Sequence, residues 1–124
     1  MEKKREIKFR VWNLDRKEWA DFGYLDMNGN FIQEGLEYHN YNYKVMQYIG
    51  LKDKNGKEIY EGDIVKFWFW DDNIYLVQYD EDNTQFNCGY VYNNPLTKQC
   101  EEGLEVIGNA YENPELISKL LKEK

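Results

Sequence analysis

His39, Ser118, Cys88 and Cys100 are the side chains here most suited to act as a general base or nucleophile. A Ser-His-Asp site would have to bring Ser118, the one serine, to His39, and no nucleophile-elbow motif surrounds the serine. Pairing Cys88 or Cys100 with His39 has no supporting signature either. Hydrolytic chemistry is therefore disfavoured. A zinc site is disfavoured too, because there is no C-x-x-C and only one histidine. Asp80, Asp82 and Gln85 suggest a calcium loop. Counted from Asp80, however, the loop's glycine position holds Gln85 and its bidentate glutamate position holds Val91. A solvated acidic turn fits better, and the same holds for Asp71 and Asp72. No glycine-rich phosphate cradle is present. Neither a cofactor nor a metal is expected.

The charge balance narrows the partners. The 124 residues carry a net charge of −7. Residues 1–10 are basic: Lys3, Lys4, Arg5, Lys8 and Arg10 stand against Glu2 and Glu6. Residues 71–105 are acidic, with Asp71, Asp72, Asp80, Glu81, Asp82, Glu101, Glu102 and Glu105 against Lys98. No arginine follows Arg16. Direct nucleic-acid binding needs clustered cations and is disfavoured. The acidic stretch reads as solvated surface, as one half of a head-to-tail self-contact, or as a face for a basic partner. No apolar run approaches the roughly 20 residues of a membrane span. Met1 to Glu6 lead into no apolar region, so no signal peptide is expected. Cys88 and Cys100 then read as reduced thiols in a cytoplasm. A disulfide would need their Cα atoms within about 7 Å.

Aromatics make up 17% of the residues, enough to fill a core. Ile7-Lys8-Phe9-Arg10-Val11 alternates apolar and basic residues, the period of a half-buried strand. A weaker strand is expected over Trp19–Met27, and Asn28-Gly29 signals a hairpin into Phe31-Ile32. Residues 33–43 read as a loop and Lys44–Ile49 as a strand. Asn55-Gly56 is a second hairpin signal, and Gly62 suits a positive φ in a tight turn. Ile64–Trp70 is the strongest strand, with Ile74–Tyr79 as its hairpin partner. Phe86–Tyr92 and Leu104–Ile107 are further strands. Asn113 as N-cap and Pro114 at the first helical position start a terminal helix. Its stripe of Leu116, Ile117, Leu120 and Leu121 must pack on something, because so short a helix is not stable alone.

Phe67-Trp68-Phe69-Trp70 puts two phenylalanines on one strand face and two tryptophans on the other. One small barrel cannot take all four rings. Trp68, Trp70 and Tyr75 are therefore the candidate contact surface, facing the rest of the chain, a second copy or a foreign partner.

Three blocks resemble the YopX family of bacteriophage and prophage proteins: Ile7 to Trp12, Met46 to Val65 and Glu105 to Leu116. The resemblance implies phage or prophage origin, a cytoplasmic location in the bacterial host, a β-rich fold with an SH3-like barrel, and a homo-oligomer. It supplies no reaction, since the family is uncharacterised. Gly62-Asp63-Ile64-Val65 is also similar to the first strand of MazF-type toxin ribonucleases. Such chemistry needs cations at the scissile phosphate, and residues 63–107 hold only Lys66 and Lys98.

The expected fold is mainly β within one domain. It has N-terminal strands and a loop (1–45), an SH3-like barrel or roll (46–110) and a short helix (113–123). The expected function is that of a non-enzymatic phage accessory protein. It would act by self-association and by contacts with a host or phage protein. One alternative is an acidic inhibitor that mimics nucleic acid toward a host protein. A small nuclease is the other, less favoured, alternative.

Overall fold

The computed structural model describes residues 6–20, 23–32, 42–67, 74–82, 84–88, 94–95 and 103–122. These form β1 (Phe9–Asn13), β2 (Glu18–Trp19), β3 (Tyr24–Leu25), β4 (Phe31–Ile32), β5 (Tyr43–Lys52), β6 (Glu58–Tyr60), β7 (Asp63–Phe67), β8 (Ile74–Asp80), β9 (Gln85–Cys88), β10 (Asn94–Pro95), β11 (Leu104–Asn109) and α1 (Pro114–Lys122). The chain is mainly β, with a curled half-barrel of the SH3-like kind, an N-terminal strand layer and a short C-terminal helix.

The N-terminal layer is the sheet β2-β1-β5-β6, and the barrel sheet runs β10-β9-β8-β7-β11. β5 is a central strand of the N-terminal layer, and its far end also packs on the barrel core through Leu51. Its first half pairs antiparallel with β1, from Phe9↔Gln47 to Asn13↔Tyr43. Its second half pairs with β6, at Tyr48↔Tyr60 and Lys52↔Glu58, across an irregularity in register. Gly50 lies inside that irregularity with φ +91°, a conformation that costs glycine little. The strand can therefore bend there, which lays Leu51 against the barrel core.

The core sits between the second half of β5, β6 and the barrel sheet. Leu51, Ile59, Val65, Phe67, Val77, Cys88 and Leu104 form it, with Ile49, Tyr75 and Val106 packed at its margin. Val65 and Phe67 share one face of β7, as alternation requires. Ile64, facing the other way, is also fully buried, so β7 is covered on both sides there. This double cover is why Ile64–Trp70 reads as the strongest strand of the sequence, of which residues 68–70 lie outside the described residues.

Local signals explain most turns. The Asp53 carboxylate caps the Asn55-Gly56 turn, accepting the N–H groups of Asn55 and Lys57 at 2.8 and 2.9 Å. Gly62 takes φ +86°, donates to the Val77 carbonyl at 2.9 Å and accepts from Ala110 N–H at 2.8 Å. It thereby ties the start of β7 to both β8 and the end of β11.

The expected strand over Trp19–Met27 is two short pieces instead, β2 and β3. Gly23 lies before β3 at φ +141°, and the Asp26 carboxylate takes the N–H groups of Asn28 and Asn30 to close the β3–β4 turn. The helix begins where the sequence places it, but Asn113 caps differently. Its side-chain oxygen turns back to accept the Asn109 N–H at 3.1 Å, while its backbone carbonyl takes Leu116 N–H.

Candidate interaction face

β1 presents two unlike faces. Arg10 and Trp12 lie on one, Phe9 and Val11 on the other. On the first face Trp12 meets Trp19 edge to face at 4.8 Å and lies 6.5 Å from Tyr111. Arg10 sits between the rings of Trp19 and Tyr60, its Cζ 4.9 and 4.7 Å from their centroids. Its Nη2 donates to Asp63 Oδ1 at 2.6 Å. Asp63 Oδ2 accepts the Tyr60 N–H at 2.8 Å. Asp63 is 1% exposed, and burial raises its carboxyl above the usual carboxylate range although Arg10 and the Tyr60 N–H pull the other way.

Of the basic residues at the N-terminus, the two described ones, Lys8 and Arg10, are both paired within the chain. Lys8 Nζ lies 2.6 Å from Glu58 and 2.9 Å from Glu6, and these carboxylates push its pKa well above the usual lysine range. Arg16 lies 3.2 Å from Glu18.

A cleft of about 300 Å³ runs beside β1 and takes residues of both its faces: it is lined by Phe9, Arg10, Val11, Trp19, Ala20, Gly23 and Phe31. Gly23 matters for its close approach: a Cβ there would lie 2.3 Å from Phe31 Cζ. Phe31 in turn meets Tyr43 edge to face at 5.0 Å. Six large apolar side chains stand exposed among the described residues, and five of them precede β5: Ile7, Phe9 and Leu14 in or beside β1, and Tyr24 and Met27 in the separate β3–β4 hairpin. Phe9, which lines the cleft, is 43% exposed, and Tyr24, next in the chain to Gly23, is 50% exposed. The signal for this face was present in the alternation of Phe9 and Val11 with Lys8 and Arg10. What covered each face could not be read from it.

Of the contact residues expected from sequence, Tyr75 is half-buried at the margin of the core, its ring 5.8 Å from that of Phe67. Trp68 and Trp70 lie outside the described residues, as do His39, Cys100, Asp71 and Asp72. Cys88 is fully buried in the core and Ser118 is exposed on α1.

The turn after β8 carries the acidic character. Glu81 and Asp82 are exposed there, while Asp80 accepts from Asp82 N–H and from the Asn87 amide. Tyr79, 43% exposed, packs edge to face on Phe86 at 5.2 Å. Among the described residues no three His, Cys, Asp or Glu side chains are grouped to hold a metal. Lys66, the barrel cation considered for nuclease chemistry, lies 3.9 Å from Glu105, which Lys54 also approaches at 3.5 Å. No helix among the described residues is long and apolar enough to cross a membrane.

A curled half-barrel carrying a strand layer at its N-terminal side is the class of domain these features define. The YopX protein family model matches residues 8–118, and the chain belongs to that family. Its fold is similar to the crystal structure of protein EF1440 from Enterococcus faecalis. The TM-score is 0.70 at 25% identity, over 92% of this chain and 99% of that one. No curated protein matches the sequence.

Proposed function

We propose that this protein is a non-enzymatic phage or prophage accessory module that works through protein contacts, self-association among them, in the bacterial cytoplasm. The observation carrying this reading is the concentration of exposed apolar side chains in the segment before β5, together with a cleft lined by Phe9, Trp19 and Phe31. Exposed aromatic groups beside a pocket are what protein contacts use as anchors. The sequence reading placed the surface at Trp68, Trp70 and Tyr75, of which the first two lie outside the described residues and Tyr75 is half-buried at the core margin. Sedimentation at micromolar concentration tests the reading. The wild type is expected to sediment as an oligomer, and a Phe9→Lys/Tyr24→Lys double variant as a folded monomer. A wild type that is monomeric throughout defeats the self-association part.

A second reading is favoured by the exposed Glu81 and Asp82 beside Tyr79. This acidic turn could meet a basic, nucleic-acid-binding host protein. Capture of such a protein, abolished by high salt and by Glu81→Lys/Asp82→Lys, would favour that reading over the first.

A further inference from the structure

Arg10 carries a positive charge from β1 to the buried start of β7. Asp63 Oδ1 holds its Nη2 at 2.6 Å, the Glu61 carbonyl lies 3.4 Å from the same nitrogen, and the Trp19 and Tyr60 rings flank its guanidinium. Arg10 Nε is buried and has no hydrogen-bond partner among the described residues. The other charges nearby are otherwise engaged. Glu58 of β6 is held by Lys8, the Glu61 carboxylate takes the Gln47 N–H at 3.0 Å, and Lys57 acts on Asp63 only through the field of its charge. β11 places a neutral residue, Asn109, opposite Asp63.

This arrangement leans on one carboxylate. Arginine cannot shed its charge. When Asp63 is neutral, the guanidinium is left in a dry site without a counter-ion, which strongly disfavours its inward position. The side chain is still 19% exposed, so it can reach water without unpairing β1 from β5. Arg10 also lines the cleft with Phe9, Val11, Trp19 and Phe31, so its departure reshapes that wall.

We propose that Asp63 and Arg10 form a proton-released latch: one proton taken from solvent by the Asp63 carboxylate frees Arg10 from between Trp19 and Tyr60 and opens the aromatic cleft while the barrel stays folded. The ladder between β1 and β5 and the core around Val65 and Val77 do not depend on the pair. Because burial raises the Asp63 carboxyl, the proton enters in milder acid than an exposed aspartate would need. The latch stands whichever partner the cleft takes.

The test is a pH titration of the intact chain by nuclear magnetic resonance. The chain has only three arginines, Arg5, Arg10 and Arg16, so Arg10→Lys identifies the Arg10 Nε–H signal by its loss. The expected result is a shift or loss of that signal with the same midpoint as the Asp63 carboxyl carbon, while the Ile64, Val65 and Val77 amides stay in place. Asp63→Asn should show the acid-form Arg10 signal already at neutral pH. An Arg10 signal that passes unchanged through the Asp63 midpoint, or that moves only when the barrel amides collapse, overturns the proposal. Should Asp63→Asn fail to fold, the two wild-type midpoints decide alone.

Discussion

Asp53 and Val106 are 53 residues apart, yet the Asp53 carboxylate accepts the Val106 N–H at 3.0 Å. The same carboxylate closes the Asn55-Gly56 turn with its other oxygen, so one side chain pins the β5–β6 hairpin to β11. Lys54 N–H, donating to the Leu104 carbonyl at 2.8 Å, makes the second stitch of this seam. Replacing Asp53 by alanine leaves three backbone donors without their charged acceptor. The expected cost is about 3 kcal/mol, with Asp53→Asn recovering part of it. Urea denaturation of the three proteins measures this, and a loss below about 1 kcal/mol would show that water replaces the carboxylate.

Asp53 and Asp63 should respond to acid in opposite senses. At Asp53 burial favours the neutral form, but the N–H groups of Val106, Lys57 and Asn55 and the charge of Lys57 outweigh it and lower the pKa. Its contribution is therefore present above the unfolded value and is lost as pH falls through the lower folded value. At Asp63 burial wins and the folded value is raised, so the folded chain binds the proton first and gains relative stability as pH falls. Denaturation midpoints followed from about pH 7 to about pH 2 should fall more steeply for Asp63→Asn than for the wild type, and in the lower part of that range less steeply for Asp53→Asn. Parallel curves for all three would refute both assignments.

Two glycines separate backbone strain from crowding. Gly56 and Gly62 have φ of +83° and +86°, but a Cβ at Gly56 meets nothing within 4 Å, whereas at Gly62 it would stand 3.0 Å from Met46 Sδ. Gly56→Ala should cost about 1 kcal/mol, from conformation alone. Gly62→Ala should cost about 2 kcal/mol or more, because the buried Met46 must also move. Equal losses in thermal or urea unfolding would mean that Met46 yields freely.

Gly108 holds the helix rather than a turn. A Cβ there would lie 2.5 Å from Asn113 Oδ1 and 3.0 Å from Leu116 Cδ1. Gly108→Ala should push Asn113 off the Asn109 N–H and lift the first turn of α1 from β11. Hydrogen exchange should then quicken at residues 114–119 and be unchanged at Val65 and Val77. Unchanged protection of α1 would contradict this packing.

The turns and hairpins were legible because their signals are local. Asn28-Gly29, Asn55-Gly56 and Gly62 each name a backbone geometry that few residues adopt, and the structure has a turn at each. Asn113 and Pro114 likewise marked the helix start to the residue. The single strand expected over Trp19–Met27 failed because its apolar content belongs to two elements that face different neighbours. Arg10 with Asp63, and Asp53 with Val106, could not be read at all. Each joins residues 53 apart, and a chain carries no short-range trace of which distant carboxylate will neutralise a strand cation. The exposed face on the N-terminal layer was missed for the same reason, since alternation gives two faces and not their surroundings.

β5 has no clean joint. Tyr43 to Gln47 belong to the ladder with β1, and Tyr48 and Lys52 close on Tyr60 and Glu58 of β6 in the same continuous strand. A cut in the middle of β5 would part β1 from β6 and, because Leu51 and Ile59 sit in the barrel core, would also uncover that core. The N-terminal strands and the barrel thus have no dividing line at β5 along which they could be separated.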